Sequence, residues 1–263
     1  MTSDLNFADF PVDLLTRVEE AGLNASAPPQ QRLVDGWLVR FSPGKAKRAR
    51  CVNAIAPGRL PLAAKLALCR QVFEEVGLPA LFRLTPFSAP PDLDVLLAEK
   101  GMRRIEDTRV MVCLKPAVDG LPPLPPGIQL APIGHEAFAQ VVGTLRGSSL
   151  AQRQAHGQRL LHAPVPFHAY VLRQDGEVMA CGQMAVEGDM VGLYDVFTAP
   201  AARNRGLATS LCGRLIAQAL ARGARTAYLQ VEGGNEPARS VYRALGFTDA
   251  YRYHFRTPDP AAE

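Results

Sequence analysis

Apolar residues at Leu207, Leu211, Leu215, Ile216 and Leu220 fall mostly four apart and predict one amphipathic helix, closed by Gly223. Before it, the run MVGLYDVF from Met190 to Phe197 has the length and composition of a buried strand. After it, a strand is expected from Thr226, then a short proline-opened helix over Pro237 to Leu245, then an extended stretch from Tyr251 to Arg256. Upstream, Ile128 to Ala131 starts a strand, and helical stretches follow at His135 to Leu145 and Leu150 to Leu161. Two further extended runs, His168 to Arg173 and Glu177 to Val186, flank Gln174-Asp175-Gly176. Asp-Gly between two such runs is a hairpin signal, because both residues tolerate positive φ. The order β-α-α-β-β-β-α-β-α-β describes a mixed α/β layer with helices on both faces of the sheet.

The first part of the chain repeats much of this pattern. A helical stretch beginning near Leu62 ends at Gly77, as its counterpart ends at Gly223, and each glycine suits a helix C′ position. A strand then starts at Ala80, a short proline-opened helix closes on Gly101-Met102, and Arg103 to Leu114 is extended. Gly77 and Gly101 are 24 positions apart, and Gly223 and Gly246 are 23 apart. Matching elements at nearly equal spacing imply an internal duplication. Residues 1–115 and 128–257 are therefore read as two tandem lobes, joined by a linker over 116–127 that is rich in proline and glycine.

Composition narrows the function classes. The five cysteines (Cys51, Cys69, Cys113, Cys181 and Cys212) are odd in number, widely spaced and without a C-x-x-C pair. They read as small core residues of a reduced cytoplasmic protein. His156, His162 and His168 recur every six residues, which suits neither one helical face nor metal-ligand spacing, so no metal is expected. No apolar stretch is long enough to span a membrane, and the N-terminal segment lacks a secretory pattern. A formal charge of +4 is too small to make non-specific nucleic-acid binding the main role, yet it leaves room for an anionic ligand. A monomer or a homodimer fits these features equally.

The chemistry concentrates at Arg203-Asn204-Arg205-Gly206-Leu207-Ala208. A strand feeding a glycine-bearing turn and then a helix presents free N–H groups and the positive end of the helix dipole, which suits a pyrophosphate. Gly206 lets the backbone approach closely, Ala208 keeps the second turn slim, and two arginines add positive charge. Arg203 and Arg205 read equally as a solvated basic surface. Further on, NEPARSVYRALGF carries Asn235, Ala238, Tyr242, Gly246 and Phe247.

Together these two motifs resemble the GNAT acetyltransferase superfamily, across essentially all of Gly127 to Arg256. Its acyl-CoA signature (Arg or Gln, two residues, Gly, one residue, Gly or Ala) is matched by Arg203, Gly206 and Ala208. The resemblance implies that amides from Arg203 to Ala208, with Thr209 in the same first helical turn, hold the pyrophosphate of acetyl-CoA. It implies that the strand through Val196, Phe197 and Thr198 splays from that at Tyr228 to Val231, leaving a gap for the pantetheine arm. Asn235 would bond to that arm, with Ala238 beside it, and amides near Phe197 would stabilise the oxyanion. Tyr242 would protonate the departing thiolate. A phenol is a sensible donor there, because it stays neutral at pH 7 and brings no unpaired charge into an apolar slot. On the residues alone, Tyr242 also reads as a core aromatic and Asn235 as an N-cap.

The general base is less marked. Many relatives carry Glu six residues before the position of Thr198, and Gly192 stands there. Asp195, Tyr194 and Glu232 remain as candidates, beside a water relay with no single base. The resemblance also implies that the segment Gly147 to Phe167 packs over the acceptor end of the cleft.

The first lobe reads as a degenerate copy. Alignment of Leu62 with Leu207 sets Gly58 against Arg203, Pro61 against Gly206 and Ala63 against Ala208, and proline has no N–H to offer a phosphate. Counting back from Gly101, Leu97 stands where Tyr242 does and Pro90 where Asn235 does. Lys45, Lys47, Arg48 and Arg50 form the first lobe's one basic cluster, either a solvated hairpin loop or a contact to an anionic group. Trp37, in the alternating run DGWLVRF, reads as core. The expectation is a tandem GNAT fold with one active site, in the second lobe, transferring acetyl from acetyl-CoA to a primary amine of a small molecule. A peptide amine, or a CoA sensor without turnover, are the alternatives.

Overall fold

The computed structural model describes residues 10–42 and 46–258. The N-terminal segment up to Asp9, and Lys45 of the basic cluster, lie outside the described residues. The first half comprises α1 (Val12–Ala25), β1 (Gln31–Val34), β2 (Trp37–Arg40), β3 (Val52–Asn53), α2 (Leu62–Glu74), β4 (Phe82–Leu84), α3 (Leu93–Glu99) and β5 (Arg103–Cys113). The second comprises β6 (Ile128–Ile133), α4 (His135–Leu145), α5 (Leu150–Leu161), β7 (Phe167–Gln174), β8 (Glu177–Glu187), β9 (Met190–Thr198), α6 (Leu207–Ala221), β10 (Thr226–Glu232), α7 (Glu236–Ala244) and β11 (Thr248–Thr257). The order expected for the second half is the order observed. Local signals account for much of it. Asp175 and Gly176 sit at φ 50° and 85° and close the β7–β8 hairpin, while Gly77 and Gly223 adopt φ 65° and 102° after their helices. A Ser149–Gln152 capping box starts α5.

All eleven strands form one mixed sheet in the order β1-β2-β3-β4-β11-β5-β10-β9-β8-β7-β6. The last strand of each half crosses over: β5 pairs with β10, β11 pairs with β4, and β5 and β11 run antiparallel to each other between them. The halves are therefore distinct in sequence but continuous in hydrogen bonding. The segment 116–127 is laid on the second half, where Ala117 donates to the Leu245 carbonyl and Arg214 to that of Pro122.

Strand alternation sends neighbouring residues to opposite faces of the sheet. On β5, Met111 and Cys113 join the core around α6 and α7, whereas Val110 and Val112 join the one around α1. Helix α1, which no cap or motif marks in the sequence, carries an apolar stripe at Leu15, Val18 and Ala21. That stripe meets Tyr228, Tyr251, Tyr253 and Phe255 across the junction of the halves. In the same junction Arg83 makes a buried, two-point ion pair with Glu19, whose Oε2 also accepts from the Tyr251 hydroxyl at 2.7 Å. All five cysteines are free and buried, and no helix among the described residues is long and apolar enough to cross a membrane.

Candidate active site

Strands β9 and β10 pair in parallel only from Met190/Thr226 to Leu193/Leu229. Beyond that point they separate, so Val196, Phe197 and Thr198 keep β8 as a neighbour but have no ladder partner on the β10 side. The cause is local. Asp195 sits at φ 50°, and between the pairs Gln183/Tyr194 and Cys181/Phe197 the β9 chain carries one extra residue. Such a β-bulge bends its strand and strengthens the local twist, which opens a slot with unpaired backbone on one wall.

The turn at Arg203 to Gly206 stands at the end of that strand. Asn204 and Gly206 have φ 60° and 70°, and no side chain caps the start of α6. The N–H groups of the first helical turn, Leu207 to Thr209, therefore lack acceptors among the described residues, and a backbone of this kind forms an anion-binding concavity. Arg203 through Gly206 are exposed, and Leu207 is buried and anchors the helix. Arg203 stands 5.9 Å from the Phe197 ring, and Arg205 donates to Gln174. These groups fit the pyrophosphate and pantetheine of a CoA ester.

Tyr242, on α7, is buried in the core around α6, 8% exposed, with its ring edge-on to Phe247. Burial, reinforced by Cys212, raises its phenol well above the ordinary value, so it keeps its proton at neutral pH. Asn235 is the N-cap of α7 and accepts from Ala238 N–H at 3.2 Å; it is exposed, so that role leaves it open to a ligand as well.

The corresponding turn of the first half is closed. Asp35 accepts from the N–H groups of Arg59 and Leu60 at 2.8–3.0 Å and pairs with Lys65 at 3.2 Å. These backbone bonds, opposed by slight burial and helped by Lys65, hold its carboxyl below the usual range. An internal carboxylate thus takes the place an external anion would need. Leu97 is fully buried in the core of the first half, as is Trp37, whose Nε1 donates to the Ala89 carbonyl.

Asp195 is heavily engaged. Arg146 donates to its Oδ1 at 2.7 Å, Gln183 donates to Oδ2 at 2.7 Å, and His156 Nε2 lies 3.2 Å from Oδ2. Burial alone would raise this carboxyl, but His156, Arg146 and Arg159 outweigh it and hold it well below the usual carboxylate range. An ion-paired carboxylate of that kind is a weak proton acceptor and a strong orienting group. Tyr194 bonds to Tyr228, and burial pushes its phenol up to about 12. Glu232 is exposed at the end of β10.

The spacing of His156 from the other histidines carries no signal in the sequence. The better signal is its own helix, where Gln152, His156 and Arg159 form a polar stripe at i, i+4 and i+7 on α5. That stripe faces a cavity of about 460 Å³ closed on its other side by the first half, at Pro29, Ser42 and Arg48. The segment after Gly147 thereby lines this cavity, with Ser148, Gln152 and His156 among its wall residues. Within the basic cluster, Lys47 pairs with Glu106, while Arg48 turns toward the cavity and donates to the Tyr253 hydroxyl at 3.2 Å.

Comparison with known proteins agrees with this geometry. The uncharacterized N-acetyltransferase YobR of Bacillus subtilis is 25% identical over 236 residues, 86% of this chain and 91% of that protein. A GCN5-related N-acetyltransferase from Kribbella flavida has the same fold, with TM-score 0.67 and 18% identity over 92% of this chain and 95% of the other. A tandem GNAT protein from the clavulanic acid biosynthesis pathway also shares the fold, with TM-score 0.62 and 18% identity over 74% and 68% of the two chains. Residues 139–247, which hold the bulge, the turn and Tyr242, match the acetyltransferase (GNAT) family.

Proposed function

We propose that this protein is an acetyl-CoA-dependent N-acetyltransferase that acetylates the primary amine of a small molecule by direct transfer in a ternary complex. The observation that carries this reading is the parting of β9 from β10 after Leu193, with the His156–Asp195 pair at the bulge and the uncapped start of α6 beyond the end of β9. Acetyl-CoA, when bound, supplies the activated acetyl group.

The chain's own residues then divide the work. Amides of Leu207 to Thr209, with Arg203 and Arg205, hold the pyrophosphate. The unpaired edge of Val196 to Thr198 holds the pantetheine arm and polarises the thioester carbonyl. His156, oriented by Asp195, takes a proton from the acceptor so that a neutral amine attacks the carbonyl carbon. A C–N bond forms and the C–S bond breaks. Tyr242 gives its proton to the departing sulfur and is reprotonated from solvent, while the new amide nitrogen releases its extra proton to solvent. The half-buried cavity favours a small acceptor over a folded protein surface. The first half contributes a cavity wall, and no second reaction centre is assigned to it.

Thiol release from acetyl-CoA across a panel of amines tests the reading. Tyr242→Phe should lower kcat by about 10²-fold with little change in KM for acetyl-CoA. Unchanged turnover in that variant would remove Tyr242 as the acid. Binding of acetyl-CoA without thiol release on any amine would favour a sensor.

A further inference from the structure

The cavity between the halves has an unbalanced charge. Arg48, Arg146 and Arg159 line it together with a single carboxylate, Asp195, and Arg146 already claims that carboxylate at 2.7 Å. The fully buried guanidiniums nearby have two or more partners each: Arg83 has both Glu19 oxygens, and Arg40 donates to Ser26 and the Leu23 carbonyl. Arg48 has only the Tyr253 hydroxyl, and Arg159 has neither a hydrogen bond nor an ion pair among the described residues. Burial lowers the Arg159 pKa, Asp195 opposes that, and Arg48 is close enough to lower it further. Both guanidiniums also line a smaller recess with Asp195 and Tyr194.

Two like charges held toward one cavity are costly unless something anionic enters it. They come from opposite walls, Arg48 from the turn between β2 and β3 and Arg159 from the last turns of α5. Arg48 is also fixed from behind, since Tyr253, its hydrogen-bond partner, donates to Gln230 at 2.9 Å and has the Arg83 guanidinium 3.8 Å from its ring centroid. Paired guanidinium forks suit the oxygens of a carboxylate or phosphate.

We propose that the acceptor is an amine that also carries an anionic oxygen group, a carboxylate or a phosphate, bound between Arg48 and Arg159 while its amine faces His156 and Asp195. This deepens the transferase reading and rests on it for the word acceptor; the anion site itself does not. It gives the first half, which lacks an open cradle of its own, a part in choosing the substrate.

The anion site is tested on the full chain saturated with CoA, so that the α6 turn is filled. Inorganic phosphate and acetate serve as calorimetric probes and separate the two sources of charge. At least one should bind, and at least ten-fold more weakly to Arg48→Gln and Arg159→Gln; Arg159→Lys, which keeps the charge, guards against loss by misfolding. Binding of neither probe, or binding equal in wild type and both glutamine variants, overturns the proposal. In turnover, glycine should exceed glycinamide, or phosphoethanolamine exceed ethanolamine, by ten-fold or more in kcat/KM, and Arg159→Gln should abolish that preference. Turnover blind to the anionic group overturns the substrate class while the transferase reading stands. Probe binding at Arg48 and Arg159 without thiol release on any amine removes the transferase reading and supports the anion site.

Discussion

The hydroxyls of Tyr194 and Tyr228 lie 2.8 Å apart, across the backbone of Gly192. A Cβ at Gly192 would stand 2.6 Å from both tyrosine rings, closer than carbon atoms can pack. The tyrosine pair therefore fills the space into which a glutamate at this position would extend, and the candidate base has moved to α5. Gly192→Ala should destabilise the fold by about 1–3 kcal/mol through overpacking, read from denaturant melts. Gly192→Glu should cost more and leave kcat no higher. A glutamate variant that is stable and faster would show that the tyrosines do not occupy the base's place.

Gly206 tests the anion cradle through its backbone. Its φ of 70° is left-handed, and nothing lies within 4 Å of where a Cβ would be. Gly206→Ala should thus carry only conformational strain, about 1–2 kcal/mol, and should weaken acetyl-CoA binding by displacing the first-turn amides. Gly206→Asn should be milder on both counts, because asparagine tolerates this conformation, as Asn204 already does two residues earlier. Equal effects of Ala and Asn in calorimetry would count against a backbone origin.

The His156–Asp195 pair should be visible in pH profiles. A base works only when unprotonated, so kcat/KM should fall as pH drops on the acidic side. His156→Gln should remove that limb along with most of the activity, roughly 10²-fold. Asp195→Asn should also lower kcat, since it removes the carboxylate that stands 3.2 Å from His156 Nε2 and orients the ring. An acidic limb that is identical in wild type and His156→Gln would return the proton transfer to a water relay.

Glu19 links the halves to pH. Burial opposes its ionisation, but Arg83, Tyr251 and Arg40 outweigh burial and lower its pKa below 4.5. A folded-state pKa below the unfolded one contributes stability that is complete above the unfolded value and is lost as pH falls through the folded value. At neutral pH Glu19→Gln should cost about 3–5 kcal/mol, because Arg83 is left buried without its counter-charge. The gap between variant and wild type should close in melts taken below about pH 4. A gap of constant size down to pH 3 would contradict the assignment.

Much of the second half was legible in the chain itself. Helix period, the Asp175-Gly176 turn, the glycines at 77 and 223, and the motifs around Gly206 and Tyr242 are local signals, each written within a dozen residues. Such signals specify elements and the cofactor side of the site, because a helix start and its glycine turn are built by one continuous segment. The non-local features were not legible. The crossing of β5 and β11 depends on pairing between residues more than a hundred positions apart, such as Val110 with Tyr251. The same holds for the cavity: His156 has meaning only once the bulge at Asp195 brings a carboxylate to it, and Arg48 only once the first half closes the cavity opposite Arg159. Spacing along the chain encodes what one segment can do alone. Which charges are left facing each other in a shared cavity is decided by packing, because it depends on segments that meet only in the folded chain.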